Sequence, residues 1–131
     1  MTVFVDTSAL VALLDADDEH HARAVAAWTR FARDGVTLLS TNYVLVETGA
    51  VVQHRLGMDA VRALAEVIRA VDLVFVEAPT HDTAVAALLA AGRRKLSLVD
   101  CTSFEVMRGS GLETAFAYDR HFKERGFAIE S

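Results

Sequence analysis

Short apolar runs alternate with stretches of helical periodicity along this chain, and the alternation constrains its fold more than any other feature. Apolar runs of three or four residues are typical of buried parallel strands, whereas apolar residues spaced three and four apart are typical of helices that pack on a sheet. The predicted strands are residues 3–5, 37–39, 73–76 and 115–117, with an edge strand at 127–129.

Three stretches between these strands have the apolar spacing of helices. Their apolar positions are Val25, Trp28, Phe31 and Ala32, then Val61, Leu64, Ala65 and Ile68, then Val85, Leu88 and Leu89. Gly57 and Gly92 stand where helices are expected to end, and Phe75 and Phe104 are assigned with Trp28 and Phe31 to the core. The pattern predicts a three-layer α/β fold, with a central, mainly parallel sheet of four to five strands and helices on both faces.

Four acidic residues interrupt this apolar pattern. Asp6 directly follows the first predicted strand and Asp119 follows the fourth, so both carboxylates are expected at the carboxyl edge of the sheet, where ligands bind in such folds. Glu47 and Asp100 lie in apolar stretches with helical character. Buried carboxylates are neutralised by a proton, a basic partner or a metal ion, and a set of hard oxygen ligands favours Mg²⁺ or Mn²⁺ over zinc.

A structural role for these acids stays open from spacing alone. Isolated acids near helix N-termini often serve as caps or as partners of the helix dipole, and Asp100 fits that description. The dense polar segment at residues 15–21 contains four acids and two histidines, and we interpret it as the approach to a helix N-terminus, not as a metal site. His121 is the only histidine close to the proposed acidic site.

Composition excludes several classes of protein. A chain of 131 residues with 53% hydrophobic residues suits one domain, residues 1–131, and no apolar stretch reaches the roughly 20 residues of a membrane span. The N-terminus does not resemble a signal peptide, and the lone Cys101 is interpreted as a small buried hydrophobe, so a cytoplasmic protein is expected. A net charge of −5 argues against a protein that coats DNA, but not against a nuclease that uses metal ions.

Four segments, at residues 5–10, 42–47, 96–104 and 117–122, resemble in order and separation the acidic motifs of the PIN-domain ribonucleases, and specifically of the VapC-type toxins. The resemblance covers nearly the whole chain. It implies a Mg²⁺- or Mn²⁺-dependent endoribonuclease that uses a metal-activated water, an antitoxin protein as partner, and a homodimer. A mean hydropathy of +0.29 also suggests an apolar surface that association would cover, with residues 43–68 as the expected interface.

The resemblance also implies roles for individual residues. Asp6, Glu47, Asp100 and Asp119 take the places of the family's acidic quartet, with Asp6 and Asp100 as direct metal ligands and Glu47 and Asp119 binding through water. Three hydroxyl side chains beside these acids are expected to bond a carboxylate, a metal-bound water or the scissile phosphate, or else to cap helices. These are Thr7, Ser8 and Ser103. Arg120, next to Asp119, is expected to contact a phosphate.

Two other functions remain as alternatives. A PIN-domain nuclease of RNA processing or decay would use the same chemistry, and a short upstream gene for a DNA-binding antitoxin would distinguish a toxin from it. A Mg²⁺-dependent phosphatase or phosphotransfer domain would also place an acid after its first strand. Ser8 argues against that class, because the haloacid-dehalogenase pattern requires a second acid at this position. A binding module without activity is expected to lack one or more of the four acids.

Overall fold

A computed structural model describes all residues, 1–131. Its five strands are β1 (Thr2–Val5), β2 (Thr37–Thr41), β3 (Asp72–Val74), β4 (Thr114–Phe116) and β5 (Ala128–Glu130). Its helices are α1 (Thr7–Leu14), α2 (His21–Arg33), α3 (Asn42–Leu56), α4 (Met58–Val67), α5 (Ala78–Ala91), α6 (Leu98–Gly109) and α7 (His121–Glu124), with a 3₁₀ turn at Ile68–Ala70. The predicted strands all exist, each within two residues of its predicted bounds.

The five strands form one sheet in the order β3-β2-β1-β4-β5, and every pair is parallel. The fold prediction is therefore confirmed, including the position of β5 at an edge. From β1 the chain proceeds outward to β2 and β3, and then returns across the sheet to β4 on the other side of β1. The strand order therefore reverses between β1 and β4, which is where parallel α/β sheets bind their ligands.

The central strand β1 lies at the middle of the core. Val3, Phe4 and Val5 are all fully buried, although successive side chains of a strand point to opposite faces of the sheet. Both faces of the sheet are therefore covered at its centre. Cys101 and Phe104 of α6 belong to the same core, which confirms both sequence-based assignments, and burial raises the pKa of the Cys101 thiol.

Five residues predicted to be buried are exposed. Phe75 is 68% exposed. Strand β3 ends at Val74, and the side chains of Val74 and Val76 both pack against the core, so the side chain between them faces outward. Leu89 is 75% exposed and Val25 is 41% exposed, each on the outer side of its helix. Ala32 and Ala65 are also exposed, so the apolar spacing identified the helices correctly but included exposed positions in all three stripes.

The helix ends follow the predicted signals. Gly57 and Gly92 have φ angles of 85° and 59°, which favour glycine, and each ends a helix by donating its N–H to a carbonyl of the last turn. Pro79 lies in the first turn of α5, where its missing N–H has no helical partner to lose. No helix in the structure has the length and apolar character needed to span a membrane.

Candidate active site

An open pocket of about 500 Å³ lies at the carboxyl edge of the sheet, beside the point where strand order reverses. Fourteen residues line it, among them five acids and two bases. The acids are Asp6, Asp18, Glu47, Asp100 and Asp119, and the bases are Arg55 and Lys95. The structure thus brings all four acids singled out in the sequence to one pocket, from four separate parts of the chain.

Asp6 is the most deeply buried of these acids, with 3% of its surface exposed. It is the N-cap of α1, and its Oδ2 accepts hydrogen bonds from the Ser8 N–H at 3.1 Å and from the Ser8 hydroxyl at 2.7 Å. Burial, reinforced by the nearby charges of Asp100 and Asp119, raises the pKa of Asp6 to about 7, against the lowering effect of the Ser8 bonds. A neighbouring Lys or Arg side chain would lower this pKa, so the raised value indicates that no such side chain lies beside the buried Asp6 carboxylate.

Asp100 is a helix cap and also lines the pocket, so its structural role does not exclude a role in the site. It is the third residue of α6 and completes a capping box with Ser97, in which each residue accepts a hydrogen bond from the other's backbone N–H. The same carboxyl group lines the pocket and is 7% exposed. Burial, with a further contribution from Asp119, raises its pKa. The capping box therefore fixes the position of this carboxylate without neutralising it.

Asp119 lies on the turn between β4 and α7, and His121 is the first residue of α7. The His121 Nε2 lies 3.5 Å from an Asp119 oxygen, and Asp100, Asp119 and His121 present ligand atoms within 4.8 Å of one another. The same Nε2 lies 3.1 Å from the Lys95 carbonyl oxygen, which can only accept a hydrogen bond. We therefore assign the ring proton to Nε2, which donates it to the Lys95 carbonyl. With this nitrogen occupied, His121 holds the Lys95 segment in place, and the carboxylates remain as the candidate metal ligands.

Glu47 reaches the pocket from the middle of α3. Val51 and Arg55 line the pocket with it, and their spacing of four residues places the three side chains along one face of that helix. Arg55 was not among the residues predicted from the sequence, although this spacing from Glu47 was a signal that could have identified it. Arg55 and Lys95 have no carboxylate partner within 4.0 Å, so both remain available for a ligand.

Residues 15–21 contribute more to this region than the sequence suggested. Asp18 accepts a hydrogen bond from the His20 N–H at 2.8 Å, and this turn places both side chains in the pocket lining. The His20 ring stacks on Tyr118, with ring centroids 4.4 Å apart and the planes within 4°. His20 makes no side-chain cap to α2, so the interpretation of this segment as a capping element was incomplete.

The four supporting residues have different positions. Ser8 hydrogen-bonds Asp6 and accepts a bond from the Tyr118 N–H at 2.9 Å, so it connects the ends of β1 and β4. Thr7 lines the pocket, and its buried hydroxyl has no partner in the protein. Ser103 is fully buried and donates to the Val99 carbonyl of its own helix, so its expected contact with the site is wrong. Arg120 is exposed and lines a neighbouring cleft instead of the pocket.

The residues present fit a hard divalent cation. Three carboxylates of the pocket, Asp6, Asp100 and Asp119, repel one another, and none of them forms an ion pair with a Lys or Arg side chain. The unpartnered Thr7 hydroxyl adds one more oxygen. Oxygen ligands of this kind suit Mg²⁺ and similar ions, and the pocket contains no cysteine.

Comparisons with known proteins agree with this fold. The model of the PIN domain matches residues 3–128. The chain is 38% identical over 128 residues to the 23S rRNA-specific endonuclease VapC20 of Mycobacterium tuberculosis, and the match covers 95% of each protein. The crystal structure of that Mycobacterium tuberculosis protein, described as a Sarcin-Ricin loop cleaving toxin, superposes with a TM-score of 0.87 at 34% identity and covers 96% of both chains.

A more distant structure supports the fold alone. VapBC2 from Rickettsia felis, solved with a DNA fragment from its promoter, gives a TM-score of 0.72 at 14% identity and covers 99% of this chain and 98% of that chain. The family model extends over nearly the whole sequence, and the parallel sheet and its acidic pocket are those that the sequence motifs predicted. This chain therefore belongs to the PIN-domain family.

Proposed function

We propose that this protein is a metal-dependent endoribonuclease and the toxin of a toxin–antitoxin pair, built as a single domain over residues 1–131. The observation that carries the proposal is the buried Asp6 carboxylate, which faces Asp100 and Asp119 in an open pocket where strand order reverses. The relationship to VapC20, an endonuclease specific for 23S rRNA, supports RNA as the substrate. It also favours the nuclease over the phosphatase alternative.

Asp6 and Asp100 are proposed to hold Mg²⁺ or Mn²⁺ directly, with Glu47 and Asp119 contributing through water. When bound, such an ion lowers the pKa of a water and neutralises charge on the phosphate. Ser8 holds the Asp6 carboxylate toward the pocket, and Ser97 does the same for Asp100 through the capping box. Arg55 and Lys95 flank the acids as unpaired cations, where each can attract the charged RNA backbone.

The proposed substrate is an exposed loop of ribosomal RNA. A flexible loop can bend so that one phosphate enters the pocket, whereas a duplex holds its phosphates along a rigid helix that cannot adapt to the pocket. VapC20 is described as a Sarcin-Ricin loop cleaving toxin, and 34% identity over 96% of both chains supports a related target here. Because ribosomes are the site of this RNA, the proposed activity requires the protein to act in the cytoplasm.

The function is tested with purified protein and a synthetic RNA hairpin that contains a large loop. We expect cleavage within the loop in the presence of Mg²⁺ or Mn²⁺ and no cleavage in excess chelator, because the carboxylates alone cannot neutralise the phosphate charge. Restoring the metal should restore the activity. The fully paired duplex of the same sequence is the control, and undiminished cleavage in the chelator would contradict the metal mechanism.

Homodimerisation is proposed from the family and from the exposed apolar residues. Val46, Leu56 and Met58 are exposed within residues 43–68, the interface expected from the sequence, and Phe75 is exposed after β3. Asn42 at the start of α3 accepts a hydrogen bond from the Val76 N–H, which places Phe75 near the start of that helix. Burial of such a patch drives association.

We expect sedimentation to give a dimer at micromolar concentration, and Val46→Asp to shift it toward monomer by burying a charge at the interface. Val25→Asp is the matched control, because Val25 is exposed on α2, a different helix. A wild-type protein that sediments only as a monomer would contradict the proposal.

The proposed antitoxin inhibits by inserting a basic side chain, an Arg, into the acidic pocket. Five carboxylates against two bases leave the pocket strongly negative without metal, and a guanidinium can bridge two carboxylates bidentately. Metal and inhibitor then compete for the same acids. When this Arg of the antitoxin is replaced by Ala, we expect most of the inhibition of cleavage to be lost while most of the affinity for the toxin remains. The reason is that an apolar segment of the antitoxin supplies most of that affinity.

The competition is measured by titrating Mg²⁺ into the inhibited complex while following both cleavage and affinity. High Mg²⁺ should relieve inhibition by the wild-type antitoxin. Inhibition that persists unchanged with the Arg→Ala antitoxin would show that the antitoxin blocks the RNA path instead.

A further inference from the structure

A second cleft, of about 200 Å³, adjoins the acidic pocket on the side of β5. His20, Tyr118 and Asp119 line both cavities, so the two are continuous across the stacked rings of His20 and Tyr118. The volume lies below the roughly 300–1,000 Å³ of pockets that enclose whole small-molecule ligands. A cleft of this size, open to the acidic pocket, suits one unit of a longer molecule that extends out of that pocket.

Two arginines, Arg23 and Arg120, line this cleft against the single carboxylate of Asp119, so the lining carries a net positive charge whereas the pocket is acidic. Neither arginine has a carboxylate within ion-pair distance. Nearby arginines are neutralised, since Arg30 pairs with Glu130 at 3.0 Å and Arg93 pairs with Glu124 at 3.1 Å. Two unpaired guanidinium groups therefore remain beside the proposed cleavage site.

Interactions within the protein hold Arg23 in this position. Its guanidinium lies over the Tyr118 ring, 5.3 Å from the ring centroid, and one of its nitrogens donates to the Ser131 hydroxyl at 2.8 Å. These interactions use the face and one donor of the group, whereas a guanidinium has five N–H donors. The remaining donors suit an anion, and a phosphodiester is the anion that a ribonuclease substrate carries on every residue.

We propose that this cleft is an RNA subsite, in which Arg23 and Arg120 bind the phosphodiester next to the one that is cleaved. The inference rests on the proposed ribonuclease function and adds a path for the strand. The acidic pocket holds the scissile phosphate, and the strand passes over His20 and Tyr118 into the cleft. Arg23 and Arg120 thereby fix which phosphate of the strand reaches the acids.

The test measures RNA binding separately from cleavage. Binding of a short single-stranded RNA is followed in an Asp6→Asn background, with Arg23→Gln or Arg120→Gln added, over a range of salt concentrations. We expect each added substitution to weaken binding about tenfold, as for loss of one charge-assisted hydrogen bond. The slope of log affinity against log salt should fall by about 0.7 for each phosphate that is no longer neutralised. With the Asp6 side chain restored, the weaker binding should appear as a higher KM rather than a lower kcat.

Two matched variants complete the design. Arg108→Gln removes the same charge at the far end of α6 and should leave binding and the salt slope unchanged. Arg23→Lys keeps the charge and should retain the salt slope while losing part of the affinity, since an ammonium lacks the planar donors. Both Arg23 and Arg120 are exposed, so the variants are expected to fold, which circular dichroism checks.

The outcomes separate the subsite from the proposed function. Wild-type protein that cleaves RNA, combined with Arg23→Gln and Arg120→Gln variants of unchanged KM and salt slope, would overturn the subsite and leave the nuclease proposal intact. Equally weakened binding in Arg108→Gln would also overturn it, because the effect would then come from overall charge. Wild-type protein that cleaves no RNA in the presence of metal would instead overturn the proposed function.

Discussion

Replacing either Asp6 or Asp100 by Asn is expected to lower the rate of RNA cleavage by about two to three orders of magnitude while the protein stays folded. Both carboxylates are nearly inaccessible to solvent and are fixed by neighbouring hydroxyls and N–H groups. An amide can accept the same hydrogen bonds, but it lacks the negative charge that a divalent cation requires. The measurement is the single-turnover cleavage rate at several Mg²⁺ concentrations.

Asp72→Asn provides the control for these two variants. Asp72 is exposed at the start of the edge strand β3, two strands away from β1, and does not line the pocket. This variant should retain the wild-type rate. If Asp6→Asn or Asp100→Asn reaches the wild-type rate at saturating Mg²⁺, the assignment of that residue as a metal ligand is wrong.

The same Asp6→Asn change is expected to stabilise the metal-free protein, and to do so more as the pH rises. Asp6 has a folded-state pKa of about 7 against an ordinary value of 3.8, so between these values the folded state holds a proton that the unfolded state has released. The stability that this proton confers is fully present below about pH 3.8 and is lost as the pH rises through about 7. Asn at this position does not titrate.

The size of the effect follows from the size of the pKa shift. A difference of about three pKa units corresponds to roughly 4 kcal/mol in the free energy of unfolding above pH 7. Urea unfolding in chelator should therefore show Asp6→Asn more stable than wild type, with the gap widening by roughly 3 kcal/mol between pH 4.5 and pH 8. A gap that stays constant with pH would contradict the burial of an uncompensated carboxylate. Saturating Mg²⁺ should narrow the gap, because the ion binds only the wild-type pocket tightly.

The acidic site could be predicted from the sequence because it depends on a rule of topology. Asp6 and Asp119 directly follow predicted strands, and the carboxyl ends of parallel strands meet at one edge of the sheet. The pairing of β1 with β4, which brings these two acids together, was not predicted and is seen only in the structure. The assignment of Glu47 and Asp100 to the same site required the family resemblance, since each sits within a helix whose orientation the sequence alone does not specify.

Arg120 was assigned to a phosphate from the sequence, but the other basic residues and the aromatic part of the site were not predicted, because their positions depend on tertiary packing. The turn at residues 15–21 looks like an ordinary approach to a helix, and only the packing of His20 on Tyr118 brings it to the pocket. Arg23 and Arg120 are far apart in sequence and meet only because α2 lies beside the β4–α7 turn. The exposure of Phe75 depended on where β3 ends, which the apolar run overestimated by two residues.

The central claim is that the four acids form a metal-dependent site that cuts RNA, and mapping of new RNA 5′ ends tests it most directly. Purified 23S rRNA is incubated with wild-type protein or Asp6→Asn, each with Mg²⁺ or with excess chelator, and the ends are mapped by primer extension. We predict a discrete new end in a loop of 23S rRNA with wild-type protein and Mg²⁺, and in no other sample. The same end at equal strength with Asp6→Asn or in chelator, or no new end in any RNA, would contradict the claim.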